Sequence, residues 1–239
     1  MNVETDENGL TEWGWIDYGF KNYYALLNTG FRIRPTAGTA NGVHPVPLGF
    51  GRVYVYLEDR FDYDKWMEGL DAGRSLVTSG PMLFVEVNGK KPGHLFTQET
   101  AEPPKFHLSG STVSAQPLDR IEIVLDGMVI ESLQPENRKN QKGAFESSFQ
   151  TEFAVYTSSW AAVRCFEKRP DRRIRFAHTA PFHVELPGHP PRARRPEVEY
   201  LVERVQEQID RNKGVLPEEA LDEYRAALGV YKDMARGPR

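Results

Sequence analysis

The run RIEIVLDGMVIESL, residues 120–133, constrains the chain more than any other stretch. Two alternating apolar segments flank Asp126-Gly127. Such a pair takes the positive φ values of a two-residue hairpin turn, whose twist matches the flanking strands. Asn88-Gly89 repeats the signal after MLFVEV. Further short runs follow, KFHLSG, FESSFQTEF, SSWAAVRCF and RIRFAHTAPFHVEL, with turn residues and no helical pattern between them. About seven strands at this spacing predict an antiparallel β-sandwich. Its expected core takes Phe84, Val85 or Val87, Ile121, Ile123, Leu125, Trp160, Val163 and Phe176.

Helical spacing lies outside that region. Asp17 can cap a helix to about Thr29, with Phe20, Tyr23, Tyr24 and Leu27 as a packing stripe and Gly30 at its end. Asp62 can cap a second to Ala72, carrying Tyr63, Trp66, Met67 and Leu70, and Gly73 ends it. PGHPPRARRP, residues 187–196, is a stiff linker of extended or polyproline character. Pro196 then opens a helix to about Lys213, and Pro217, followed by Glu218 and Glu219, opens another. Their stripes, Val198, Leu201, Val202, Val205 and Ile209 against Leu221, Tyr224, Leu228 and Tyr231, predict a helical hairpin.

Composition narrows the function classes. A net charge of −4 gives no global basic field, so nucleic acid is not an expected partner. The arginines 169, 172, 173 and 175, with 192, 194 and 195, read as a solvated cluster beside acidic helices or as an anion-binding patch. Cys165 is the single cysteine, which rules out an internal disulfide and suits a buried thiol. No apolar run is long enough to span a membrane, and the acidic start MNVETDENGL is not a signal peptide, so a soluble protein is expected. There is no G-x-S-x-G, H-E-x-x-H, P-loop or C-x-x-C pattern, and no catalytic residue is assigned. His178 and His183, five apart, would not share one face of a regular strand.

The stretch from Asn28 to Glu58 is the candidate site. Phe31 and Ile33 on one side, with Val53, Val55 and Leu57 on the other, read as strands. Between them Gly38, Gly42, Gly49, Gly51, Pro45 and Pro47 surround His44. Glycine and proline together let such a loop hold one defined shape. His44 reads either as a hydrogen-bonding group within a rigid turn or as a ligand.

GFRIRPTAGT, then GRVYVYLE, a helix and GRSLVTSGP resemble the tail of a PHP-superfamily metal-dependent hydrolase, most of all its carbaryl-esterase and amidase-like (CehA/McbA) branch. AAVRCFE and RFAHTAPFHV resemble the closing strands of that family's C-terminal sandwich. The resemblance implies a β/α barrel whose metal ligands begin with a His-x-His motif, which this sequence does not contain. The late family motif is Gly-Ser/Thr-Asp, often followed by Ala-His. Gly38 and Thr39 match it, while Ala40 stands in the aspartate's place and Gly42 in the histidine's. Asn41 and His44 are the nearest residues able to serve as metal ligands, with Gly38, Thr39 and Gly42 as the pocket loop.

These readings combine into an α+β chain. Residues 1–79 would be the C-terminal part of a PHP-type β/α barrel, 80–187 an immunoglobulin-like antiparallel β-sandwich, and 188–239 a proline-rich linker and helical hairpin. The implied function is the C-terminal portion of a metallohydrolase of ester, amide or phosphoester bonds, inactive as the isolated chain. It implies zinc, manganese or iron and a small-molecule substrate for the full enzyme. The alternative is a non-catalytic β-sandwich module that binds a protein partner or a glycan.

Overall fold

The computed structural model describes residues 3–40, 42, 46–98, 102–171, 173–191 and 193–236. In chain order these form β1 (Thr5–Asp6), β2 (Gly9–Leu10), α1 (Glu12–Asn28), β3 (Arg52–Val55), α2 (Tyr63–Asp71), β4 (Ser75–Thr78) and β5 (Met82–Val87). Next come β6 (Leu95–Thr97), β7 (Lys105–Ser114), β8 (Leu118–Leu125), β9 (Met128–Leu133), β10 (Arg138–Lys139) and β11 (Phe145–Ala154). The chain ends in β12 (Ser159–Glu167), β13 (Phe176–Thr179), β14 (Phe182–Glu185), α3 (Arg195–Asn212) and α4 (Glu218–Arg236). The mixture of four helices and antiparallel sheets divides into two compact units, Ile33–Pro190 and the two terminal segments Met1–Arg32 with Pro191–Arg239.

In the larger unit both expected turns form. Asn88 and Gly89 lie at φ 47 and 72, and Asp126 and Gly127 at φ 48 and 80, the doubly left-handed geometry of a type I′ turn. Each tip is also tied to a third strand. The Asn88 carboxamide oxygen accepts the His107 N–H at 2.9 Å, and the Asp126 carboxylate accepts that of Trp160 at 2.9 Å.

Strands β10-β11-β7-β5 make one sheet. The other runs β3-β4-β13-β12-β14-β6, with β8 also paired to β12 and β9 to β8. Among the described strands only β14 with β6 pairs parallel. Leu83, Val85 and Val87 of β5, with Phe106 and Leu108 of β7, share one core with Ile121, Ile123, Val163 and Cys165 of the second sheet. Each of the aliphatic and phenylalanine side chains contributes about 1.5–3 kcal/mol by leaving water. Strand parity decides which β5 residues enter. Leu83, Val85 and Val87 point in, so Phe84 faces away, 37% exposed, and sits edge-on to Tyr56. Leu125 and Phe176, expected inside, are half-buried.

Three further expectations change. No strand forms at Phe31 or Ile33, which are exposed. The helix α2 begins where expected, with the Asp62 carboxylate accepting the Lys65 N–H, yet Tyr63 and Met67 remain exposed. The run RIRFAHTAPFHVEL is two strands, because Ala180-Pro181 interrupts it and Pro181 brings no N–H to a ladder.

In the smaller unit α1 is capped by Thr11, six residues before the expected cap Asp17. The Thr11 hydroxyl accepts the Gly14 N–H at 3.0 Å and caps the helix. Asp17 instead pairs with Lys21 one turn on. The stripes of α3 and α4 meet as expected, and Val198, Tyr200, Leu201 and Tyr231 pack with Leu26 of α1. Polar bonds fix α1 on α3. Tyr200 donates to the Asn22 carboxamide oxygen at 2.6 Å, and Asn28 donates to Glu197 at 2.9 Å.

The register makes a direct prediction. Ile121 is fully buried and Ile130 is 45% exposed. Ile121→Ala should cost about 2–5 kcal/mol in urea unfolding, and Ile130→Ala less than about 0.5. Equal losses would contradict the register.

Candidate functional site

The loop leading into β3 closes on itself at its base. The Thr39 hydroxyl accepts the Gly51 N–H at 2.9 Å. A Cβ on Gly51 would lie 2.7 Å from the Gly38 carbonyl oxygen, so only glycine permits this approach. Gly42 and Gly49 take positive φ, 86° and 77°, which a side chain would strain. Arg52 donates to the Gly49 carbonyl at 3.2 Å, and the Arg175 guanidinium stands 4.4 Å from the centre of the Phe50 ring. The two ends of the loop are thus clasped together. The structure brings Gly38 and Thr39 together at this clasp. Asn41 and His44, the two expected metal ligands, lie outside the described residues.

A second cluster was not expected from the sequence. All nine residues of β12 are buried, including Arg164 and Glu167. Arg164 faces Glu122 across the ladder and donates to its carboxylate at 2.6 Å. Arg120 donates to the other oxygen of Glu122 at 2.6 Å, and its guanidinium lies 4.1 Å from the Phe166 ring centre. One carboxylate therefore serves two guanidinium groups, the arrangement a buried charge requires. The available signal was a charge inside each of two apolar runs, IEIV and AVRCF. Glu167 is held in the same way, accepting from Ser114 at 2.7 Å and from Arg169 at 2.8 Å.

His178 is opposite Arg164 on the remaining edge of β12. Its Nδ1 lies 2.6 Å from the Thr179 carbonyl oxygen. Burial, with the Arg164 charge adding to it, pushes the imidazole down to about 3, against the opposing effect of the Thr179 carbonyl. His183, on the separate strand β14, pairs with Trp160 of β12. The ladder slips by one residue between β13 and β14, so both histidines take positions on one face of the sheet, which a regular strand would not allow.

Burial pushes the Cys165 thiol up to about 12, which leaves it protonated and unreactive. Among the described arginines, Arg169 pairs with Glu167 and Asp171, and Arg194 and Arg195 pair with Glu197 and Glu199. A groove of about 450 Å³ between α3 and α4 is lined by Arg195, Glu199, Glu203, Lys232 and Arg236 around Val202 and Ala235, a mixture of both charges. No group of three or more His, Cys, Asp or Glu among the described residues is placed to hold a metal ion. No helix among them is long and apolar enough to cross a membrane. The chain matches no known family model and no curated protein.

His178 gives a pH prediction. Its folded pKa lies below the ordinary 6.5, so as pH falls the unfolded chain takes up a proton that the folded chain refuses. This contribution is fully present above pH 6.5 and is lost toward pH 3 at up to about 1.4 kcal/mol per unit. His178→Gln should therefore show a shallower fall in urea-unfolding stability over that window. Equal slopes for the two proteins would contradict a buried neutral His178.

Proposed function

We propose that this chain is the C-terminal, non-catalytic portion of a PHP-like metal-dependent hydrolase of ester, amide or phosphoester bonds, and that its clasped loop forms one wall of a small-molecule pocket. The observation that carries this reading is the clasp itself. Gly38 and Thr39, the residues matching the family's late motif, are those that hold the loop base against Gly51. The second resembling stretch, GRSLVTSGP, likewise meets close packing. A Cβ on Gly80 would lie 2.9 Å from Arg175, and one on Gly73 3.2 Å from Gly93.

The described loop residues do not fit a divalent metal. Gly38, Ala40 and Gly42 bring no side-chain donor, and the Thr39 hydroxyl is engaged by Gly51. No step is therefore assigned to a metal on these residues. Zinc, manganese or iron would belong to a catalytic portion that carries His-x-His. In this reading residues 1–79 complete a PHP-type barrel and 80–187 form an immunoglobulin-like sandwich.

One observation favours the second reading, a non-catalytic module that binds a protein or a glycan. Strands β3 and β4 pair antiparallel, and β4 pairs with β13. They thus belong to the same sheet as β12 and β13, whereas the strands of a β/α barrel run parallel. An in-frame His-x-His and barrel pattern in the DNA upstream of Met1 would favour the hydrolase reading. A reading frame without it would favour the module.

Both readings predict the same assay result for the chain alone. It should not hydrolyse aryl ester, amide or phosphoester substrates with zinc, manganese or iron supplied. Metal-dependent turnover that disappears in His44→Ala would overturn both.

A further inference from the structure

The sequence holds three Asn-Gly pairs, Asn8-Gly9, Asn41-Gly42 and Asn88-Gly89, and Asn41 lies outside the described residues. In such a pair the glycine nitrogen can attack the asparagine Cγ. An N–Cγ bond closes a succinimide ring, the Cγ–Nδ2 bond breaks, and ammonia leaves with the glycine amide proton. Water then opens the ring at either carbonyl, giving aspartate or isoaspartate. Glycine favours closure because no Cβ crowds the attacking nitrogen. The carboxamide must be free to turn its carbon toward that nitrogen, and the backbone free to follow.

The two described pairs differ on both counts. Asn88 sits in a type I′ turn at φ 47. Its carboxamide oxygen accepts the His107 N–H at 2.9 Å, and its own N–H donates to the His107 carbonyl at 2.8 Å. The ladder bonds of Val87 and Lys90, at 3.0 and 2.9 Å, close the turn beneath it. Ring closure at Asn88 would have to break the side-chain bond and reshape a turn held on two sides.

Asn8 is exposed in the connection between β1 and β2, each of two residues. Its backbone N–H donates to Asp6 at 2.8 Å, and its carboxamide has no hydrogen-bond partner among the described residues. Short terminal pairings of this kind open at little free-energy cost.

We propose that Asn8 is a site of spontaneous deamidation and that the fold shields Asn88, which has the same glycine neighbour. The aspartate product would place a negative charge three residues before the Thr11 cap of α1, the end of the helix that favours one. The isoaspartate product would add a backbone methylene between β1 and β2, beside the hydrogen bond from Thr11 to Glu4.

The test is incubation of the full chain at mildly alkaline pH, followed by proteolysis and mass spectrometry of the Asn8 and Asn88 peptides. In the folded protein Asn8 should convert at least about tenfold faster than Asn88. That factor corresponds to about 1.4 kcal/mol, near the upper value of one retained hydrogen bond. In denaturant the two rates should converge. Asn88 converting as fast as Asn8 in the folded chain would overturn the proposal. So would a lag at Asn88 that persists in denaturant, since local sequence would then account for it.

Discussion

The larger unit depends on a strand that is closed off on both of its faces. Every residue of β12 from Ser159 to Glu167 is buried, and β12 pairs with β8 on one edge and with β13 and β14 on the other. One face supplies Ala161, Val163 and Cys165 to the core shared with the second sheet. The opposite face carries Arg164 and Phe166, and burial there takes the Arg164 guanidinium largely out of water. The pairing of Glu122 with both Arg164 and Arg120 follows from that burial. A lone guanidinium or a lone carboxylate in this position would be costly, by roughly 3–5 kcal/mol when a partner is removed. His178 answers the same constraint differently, by remaining neutral beside Arg164.

Features set by neighbours in sequence were legible before the structure. Asn88-Gly89 and Asp126-Gly127 specify their turns through backbone chemistry alone, and the α3–α4 hairpin follows from two stripes and a short connection. Features set by distant partners were not. The side on which Phe84 falls depends on which face of β5 turns toward the second sheet, and the start of α1 turned on Thr11 winning the capping role from Asp17. The slip between β13 and β14 reverses the relation of His178 to His183, and nothing short of the pairing partners reveals it.

The candidate loop divides along the same line. Its glycines and prolines announced a defined shape, and Gly38 with Thr39 stood out by their resemblance to a known motif. The need for glycine at position 51 was invisible, because it arises from the carbonyl of Gly38 thirteen residues earlier in the chain. The tie between Thr39 and Gly51 turns a matching motif into a structural clasp. Under the proposed reading, the residues that resemble a ligand motif serve here as architecture, with Ala40 in the aspartate's place.

Hydrogen exchange tests the primacy of β12 most directly. If the strand is the last element to open, the amides of Ala161–Phe166 should be among the slowest in the chain. They should exchange only through global unfolding, with the free energy and denaturant dependence found by urea titration. Exchange of these amides through a smaller opening, while those of β7 and β11 stay protected, would contradict it.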